Sequence, residues 1–430
     1  MSGSHSKKAL RPRLEIITFG WELEMLVYPK EGEPIGDDQA PKRLHQLASS
    51  IAAQAPDLPV AGQCLHSPEK TCDVCKDACR DFLLHGLRVF TPANPVFDHE
   101  GVSEYLYFYI MHEWVTTPYS TTGQRLAQPF EIASPILDNK ELEAGFPQTA
   151  QIVSALRNSD LKITAHTGCG LHFHVGVKSG MTLNIAKKIS TLVMLLELPL
   201  FTVLCPPQRV ANHYFDPLVK SSWFAVNANA ENYNTFTEKA SKELLEHFPI
   251  SLSQLEPAGW NDENPHRWYI TLIYLWRAEN MCQLASGLRT TLGEKSSLVL
   301  CVRDHCGILE ETIPPDECPD SFELTPSTLE FRYPPMSFDI EYIKNWAQIL
   351  CKMVKIATLD SPDFSQAVAA LHRELQKDDK GADLPTWTRL LTVLGLSDQI
   401  GYWKQQLPRF AADEPIRFLD KDGFVLPDNA

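Results

Sequence analysis

The stretch "TGCGLHFHVGV", Thr167 to Val177, sets two histidines two residues apart inside an apolar run. Successive side chains of a β-strand point to opposite faces. Leu171, Phe173, Val175 and Val177 therefore share one face, and His172 and His174 share the other. The apolar side asks for a packing partner, but two imidazoles on the reverse need a separate account. A lone His-x-His is commonly a half-buried, hydrogen-bonded pair, so its meaning depends on whether other segments repeat the pattern.

Three other segments do. In "FGWELEM", Phe19, Trp21, Leu23 and Met25 oppose Glu22 and Glu24; in "PFEIASP", Phe130 and Ile132 oppose Glu131 and Ala133. In "TLEFRY", Leu329, Phe331 and Tyr333 oppose Thr328, Glu330 and Arg332. Taken singly, these are a solvated acidic face, an unremarked surface glutamate and a cross-strand ion-pair ladder. Taken together they predict one sheet that packs its apolar face on helices and gathers carboxylates, imidazoles and a guanidinium on the other. Two carboxylates about 4 Å apart repel by roughly 4 kcal/mol at an effective dielectric near 20. Protons or cations must relieve such a cluster. Carboxylate oxygens with a histidine suit Mg²⁺ or Mn²⁺, and the planar fork of Arg332 matches a phosphate or carboxylate. An anionic substrate bridging cations is the chemistry this set serves, and phosphoryl transfer from a nucleotide is its commonest form.

The rest of the chain sets bounds on that reading. It has 430 residues, 44% hydrophobic and 22% charged, with a formal net charge of −15, which suits a globular protein and disfavours nucleic acid or an anionic membrane as partner. Net acidity favours a cationic amine as a small-molecule co-substrate. The opening "MSGSHSKKALRPRLEII" lacks the apolar core of a secretory signal. "ISTLVMLLELPLFTVLC", Ile189 to Cys205, is interrupted by Glu197 and Pro199 and reads as a buried helix rather than a span. Eleven cysteines, an odd number, suggest reduced thiols and a cytoplasmic location.

Strands are expected at Leu14–Tyr28, Glu104–Thr117 and Arg125–Leu137, and helices at about Glu141–Asn158, from Leu183 to near Pro199, and at Phe338–Leu359. "RWYITLIYLW", Arg267 to Trp276, reads as a strand or a buried helix. Strands and helices interleave without βαβ regularity, predicting an α+β fold on an antiparallel sheet. Residues 1–13 read as a flexible lead-in, 14–379 as a catalytic domain with an insertion at about 30–100, and 380–430 as a helical extension with a polar tail.

In chain order, "GWELE", "EIASPIL", "GLHFH" and "LEFR" followed by "IEYIKNWAQIL" resemble the amidoligase family, common in fungi, of the carboxylate–amine ligase superfamily that includes glutamine synthetase and glutamate–cysteine ligase. The resemblance implies a glutamine-synthetase-like sheet with its active-site cleft on the polar face. It further implies that Glu22, Glu24, Glu131, His172 and Glu330 bind Mg²⁺ or Mn²⁺, and that His174 contacts the phosphates of ATP. Arg332 would hold the transferred phosphoryl group and act with Glu330 in its transfer, and Arg209 of "CPPQRVANHYF", followed by Asn212 and Tyr214, would reach phosphate. The implied reaction phosphorylates a carboxylate and lets an amine displace the phosphate. In the segment Arg267–Trp276 the family often shows Asn on a strand, where this chain offers only Thr271. After "EFR" a Gly-containing turn is usual, and this chain has "YPPMSFD" instead.

Two other classes stay open at this point. His-x-His on a strand also begins some zinc amidohydrolase sites, with His166 or Glu131 as further ligands. A non-catalytic, metal-stabilised binding protein would find its best support in Cys64, Cys72, Cys75 and Cys79, which contain a single Cys-x-x-Cys. Cys169 as a nucleophile lacks an evident activating base. Neither a G-x-x-x-x-G-K-[ST] loop nor a G-x-G-x-x-G fingerprint occurs, so any ATP is held by cations and sheet side chains.

Overall fold

The computed structural model describes residues 15–30, 39–63, 87–89, 103–113, 126–212, 215–230, 242–247, 267–305, 322–377 and 383–428, with positions 33, 36, 115, 117 and 309 between them. The expected lead-in, the cluster Cys64, Cys72, Cys75 and Cys79, and Tyr214 lie outside the described residues.

One mixed sheet organises the chain. Its strands are β1 (Ile17–Tyr28), β2 (Val60–Gln63), β3 (Leu87–Val89), β4 (Phe108–His112), β5 (Gln128–Ala133), β6 (Leu137–Asp138), β7 (Lys162–Thr164), β8 (Leu171–Val177), β9 (Leu298–Cys301) and β10 (Thr328–Phe331). The order is β3-β2-β4-β5-β1-β8-β10-β9, with β6 and β7 also pairing β1. The β2–β4 pair is parallel and the others are antiparallel. The fold is therefore α+β, as the pattern predicts. The four segments singled out in the sequence are the four consecutive central strands β5, β1, β8 and β10.

β1 is long enough to take two partners on each side. One edge pairs with β5 and then β6, the other with β8 and then β7. The expected single strand Arg125–Leu137 is thus split at Ser134–Pro135, because proline has no N–H to donate to a ladder. Ser134 mends the gap: its Oγ accepts from Trp21 N at 3.0 Å, while its own N donates to Trp21 O at 2.8 Å. That is the physical content of the Ser-Pro in "EIASPIL". Similarly, Glu104–Thr117 resolves into a 3₁₀ turn at Ser103–Leu106 followed by β4.

The apolar face is covered by helices Ala40–Gln54, which contacts β2, β4 and β5, and Ile340–Ala357, which contacts β1 and β8, with Pro147–Arg157 packed against both helices. Trp21 points into this layer and donates from Nε1 to Thr149 Oγ1 at 3.0 Å. The expected helix Glu141–Asn158 is two helices, Asn139–Glu143 and Pro147–Arg157. Gly145 and Phe146 between them have φ of 84° and 67°, a conformation that ends one helix before Pro147 opens the next. Arg267–Trp276 is a helix, and its Thr271 is buried. No strand presents a polar group there. Its apolar residues recur all round the helix, which suits a fully enclosed helix as well as a strand.

Among the described residues no helix is long and apolar enough to cross a membrane. In Leu183–Phe201 the helix widens into a π-turn at Glu197–Phe201, where Pro199 cannot donate. Glu197 is buried there and accepts from Leu218 N at 2.7 Å, Val219 N at 2.8 Å and Tyr333 Oη at 2.7 Å. Leu390, Trp403 and Phe410 of the C-terminal helices enter the same core, with Trp403 6.0 Å from Trp346. The final segment returns to the helix Pro147–Arg157, where Arg157 donates to Leu426 O and Pro427 O at 3.0 and 3.1 Å. The five described cysteines, Cys169, Cys205, Cys282, Cys301 and Cys351, are free and buried.

Candidate active site

Strand register alone brings the polar groups together. Glu22 lies opposite His172, Glu24 opposite Glu131, and Glu330 opposite His174. Directly opposed residues share a face, so all six side chains project from the same side of the sheet. Glu24, Glu131, His172 and Glu330 are buried, while Glu22 and His174 keep 21% and 17% of their side-chain surface exposed, which marks the open end of the cluster.

His172 is the hub. Its Nδ1 is 3.3 Å from Glu22 Oε2 and 3.8 Å from Glu330 Oε1, and its Nε2 is 3.6 Å from Glu24 Oε1. His174 Nε2 lies 2.8 Å from Glu22 Oε1, and its Nδ1 is 3.2 Å from Thr328 Oγ1. Arg332 donates to Glu330 Oε1 and stands 3.4 Å from His172 Nδ1. Glu24 is fixed by the backbone, accepting from Gly170 N while its own N donates to Gly170 O at 3.0 Å.

These contacts set the charge states. Burial opposes ionisation of Glu22, but His174 and His172 outweigh it and hold its carboxyl well below the usual range. Burial is likewise overcome at Glu330 by Arg332 and Lys295, which keep it ionised. Glu131 has no such help: burial, then Glu22, Glu113, Glu24 and Glu330, push its carboxyl well above the usual range. Burial disfavours a charged His174, yet Glu22 beside it raises its pKa well above the ordinary imidazole value. The raised pKa values of Glu131 and His174 place protons in the cluster, beside the two cations that touch it among the described residues, Arg332 and Lys295. Those protons are what a divalent cation would displace.

Two sets of donors are close enough to share one. Glu22, Glu131 and His172 have ligand atoms within 4.8 Å of one another, as do Glu22, His174 and Glu330. Oxygen donors with one imidazole in each set fit Mg²⁺ or Mn²⁺. His174 falls within the second set, whereas the resemblance implied a phosphate contact for it. Glu24 is near His172 but in neither set, and His166, considered as a zinc ligand, accepts from Gly168 N at 2.9 Å. Cys169 is fully buried and its thiol is pushed up to about 12, chiefly by burial, which leaves it protonated and unreactive.

Arg209, which the resemblance gave a phosphate contact, lies among main-chain carbonyls. It is 1% exposed, and its guanidinium donates to the carbonyls of Thr167 at 2.9 Å, Gly168 at 3.4 Å, Arg332 at 3.0 Å and Tyr333 at 3.3 Å. It clamps the start of β8 to the end of β10. "YPPMSFD" completes the same junction, with Leu171 N donating to Pro334 O at 3.0 Å and Met336 N to Cys169 O at 2.9 Å. Lys295, whose Nζ is 3.2 Å from Glu330 Oε2, and Cys301, whose Sγ is 3.6 Å from the same oxygen, were not legible as site residues. Neither sits in a motif, and only the β9–β10 pairing brings them to the cluster.

A sheet with helices on one face carries on the other a buried array of carboxylates, imidazoles and a guanidinium, with two sets of groups that could hold a metal ion. The family described as "Putative amidoligase enzyme" matches residues 15–269, more than half of the chain, and the chain belongs to that family. The match covers β1, β5 and β8; Lys295, Glu330 and Arg332 lie beyond it and join the site through the fold. No curated protein matches the chain.

Proposed function

We propose that this enzyme joins a small-molecule carboxylic acid to an amine, using ATP and a divalent metal. What supports this reading is the double membership of Glu22, which stands in both candidate ligand sets and so suits two cations side by side along a polyphosphate. Glu22, Glu131 and His172 would hold one cation, and Glu22, His174 and Glu330 the other. Bound there, Mg²⁺ or Mn²⁺ supplies neutralising charge for the phosphates and orients them.

The chemistry runs in two displacements. A carboxylate oxygen of the acid attacks the γ-phosphorus of ATP, the bond to the β–γ bridging oxygen breaks, and ADP leaves with that electron pair. The neutral amine then attacks the acyl carbon, the bond from that carbon to the phosphate oxygen breaks, inorganic phosphate departs, and nitrogen loses a proton to give the amide. Arg332, ion-paired to Glu330 with 19% of its side chain exposed, presents its remaining donors to the transferred phosphoryl oxygens. His172 stays buried and fixes Glu22 and Glu24, which is positioning rather than covalent help.

The test is hydroxylamine trapping. Pools of amino acids and dicarboxylic acids, incubated with enzyme, ATP, Mg²⁺ and hydroxylamine, should yield an acyl hydroxamate together with phosphate, and Glu22→Ala should yield neither. Zn²⁺-dependent amide cleavage without nucleotide would instead establish a hydrolase.

A further inference from the structure

Glu330 is fully buried, yet each of its oxygens is taken by a cation from a different element. Arg332, on its own strand, donates to Oε1, and Lys295, preceding β9, approaches Oε2 at 3.2 Å. Both cations keep an open flank, with 40% of the Lys295 side chain and 19% of the Arg332 side chain exposed. Lys295 also springs from a firmly held base. Ser296 Oγ lies 2.7 Å from Leu288 O and 2.8 Å from Leu298 O and donates to one of them, Ser297 Oγ donates to Asp216 O at 2.7 Å, and Arg332 N donates to Ser297 O at 3.0 Å. A flexible four-carbon stem on a fixed backbone lets an ammonium swing between nearby anions without disturbing the fold.

A divalent ion held by Glu22, His174 and Glu330 would compete with these two cations for the same oxygens. From this, and resting on the ligase reading above, we infer that Lys295 is a second phosphate-contacting residue, exchanged from Glu330 to the substrate when the metal arrives. Without metal, Lys295 and Arg332 neutralise a carboxylate that would otherwise be buried unpaired. With metal on Glu330, both donors turn to the phosphoryl oxygens that the metal brings with it. The arrangement ties phosphate binding to cation binding: an anion without metal meets two cations already paired to Glu330.

The experiment compares wild type, Lys295→Met and Lys295→Arg as full-length chains. Mn²⁺ binding is followed by electron paramagnetic resonance, binding of ATP and of AMP with Mg²⁺ by calorimetry, and unfolding midpoints without ligand. The expected result is that Lys295→Met binds Mg·ATP about tenfold more weakly, the scale of one charge-assisted hydrogen bond. AMP affinity should be unchanged, Mn²⁺ should bind at least as tightly as to wild type, and Lys295→Arg should recover most of the loss. Unchanged Mg·ATP affinity in Lys295→Met overturns the assignment, as does an equal loss for ATP and AMP with a lowered unfolding midpoint, which marks a structural pair. Wild type that binds Mn²⁺ but no Mg·ATP overturns the ligase reading itself, and the Lys295 role with it.

Discussion

A Cβ placed on Gly170 would lie 2.2 Å from Nε2 of His172, and 2.8 and 2.9 Å from its Cδ2 and Cε1. Residues i and i+2 of a strand share a face, so the imidazole folds back over the residue two before it. Only glycine leaves it that space. From there the ring reaches Glu22, Glu24 and Glu330 at once. The "GLH" of the β8 motif is therefore a steric requirement of the hub, quite apart from chain flexibility.

Gly170→Ala is accordingly expected to damage the site more than the fold. The ring has no exposed direction to retreat to, so it must leave its three carboxylates. Overpacking of this kind costs about 1–3 kcal/mol, while divalent-metal affinity should fall by about 10–100-fold, as when a ligand loses its orientation. Urea unfolding and Mn²⁺ titration of the same preparation check both figures. A variant with lowered stability and undiminished Mn²⁺ affinity would contradict the role given to His172.

Arg209 calls for the opposite outcome. Its guanidinium serves four main-chain carbonyls, so Arg209→Met leaves buried acceptors unpaired at about 1–3 kcal/mol each for those that water cannot reach. A stability loss of about 3 kcal/mol or more is predicted, with no rescue by Arg209→Lys, whose single ammonium cannot span the set. Denaturant unfolding measures this. A folded, wild-type-stable Arg209→Met that merely loses nucleotide affinity would return Arg209 to the phosphate-binding role that the sequence suggested.

How the sequence and the site correspond follows from what register can carry. Glu22, Glu131, His172 and Glu330 were legible because alternation on a strand exposes its own exceptions: an apolar face is easy to see, and an acid or imidazole opposite it stands out. The α+β class followed from the same alternation. The carbonyl contacts of Arg209 were not legible, because an arginine beside Asn212 looks the same whether its donors face a ligand or carbonyls, and only tertiary contacts show them. Lys295 and Cys301 were hidden because they reach Glu330 across the β9–β10 pairing, which the motif spacing does not encode. The split of β5 from β6 was written in Pro135, and the break before Pro147 in Gly145, but the strand and helix periodicities ran straight through both.

Glu197 gives a pH prediction away from the cluster. Burial is the largest influence on its carboxyl and pushes it up to about 7, although Tyr333, Val219 and Leu218 pull it back. Below about pH 4.5 both folded and unfolded chains carry the proton; between 4.5 and about 7 only the folded chain does. Unfolding then releases a proton, so stability falls as pH rises through that window, by at most about 3 kcal/mol at 1.36 kcal/mol per unit. Unfolding free energies of wild type and Glu197→Gln, taken from pH 5 to 8, should converge or cross as wild type loses its advantage. Parallel curves would show that the three donors keep Glu197 ionised throughout.

The most direct test of the central claim is Mn²⁺ binding to wild type and Glu22→Ala, read by electron paramagnetic resonance on folded protein. Glu22 stands in both ligand sets, so wild type should bind two Mn²⁺ ions and Glu22→Ala should lose both while remaining folded. Undiminished Mn²⁺ binding in Glu22→Ala, or none in wild type, would contradict the assignment of this face of the sheet as a cation-bearing active site.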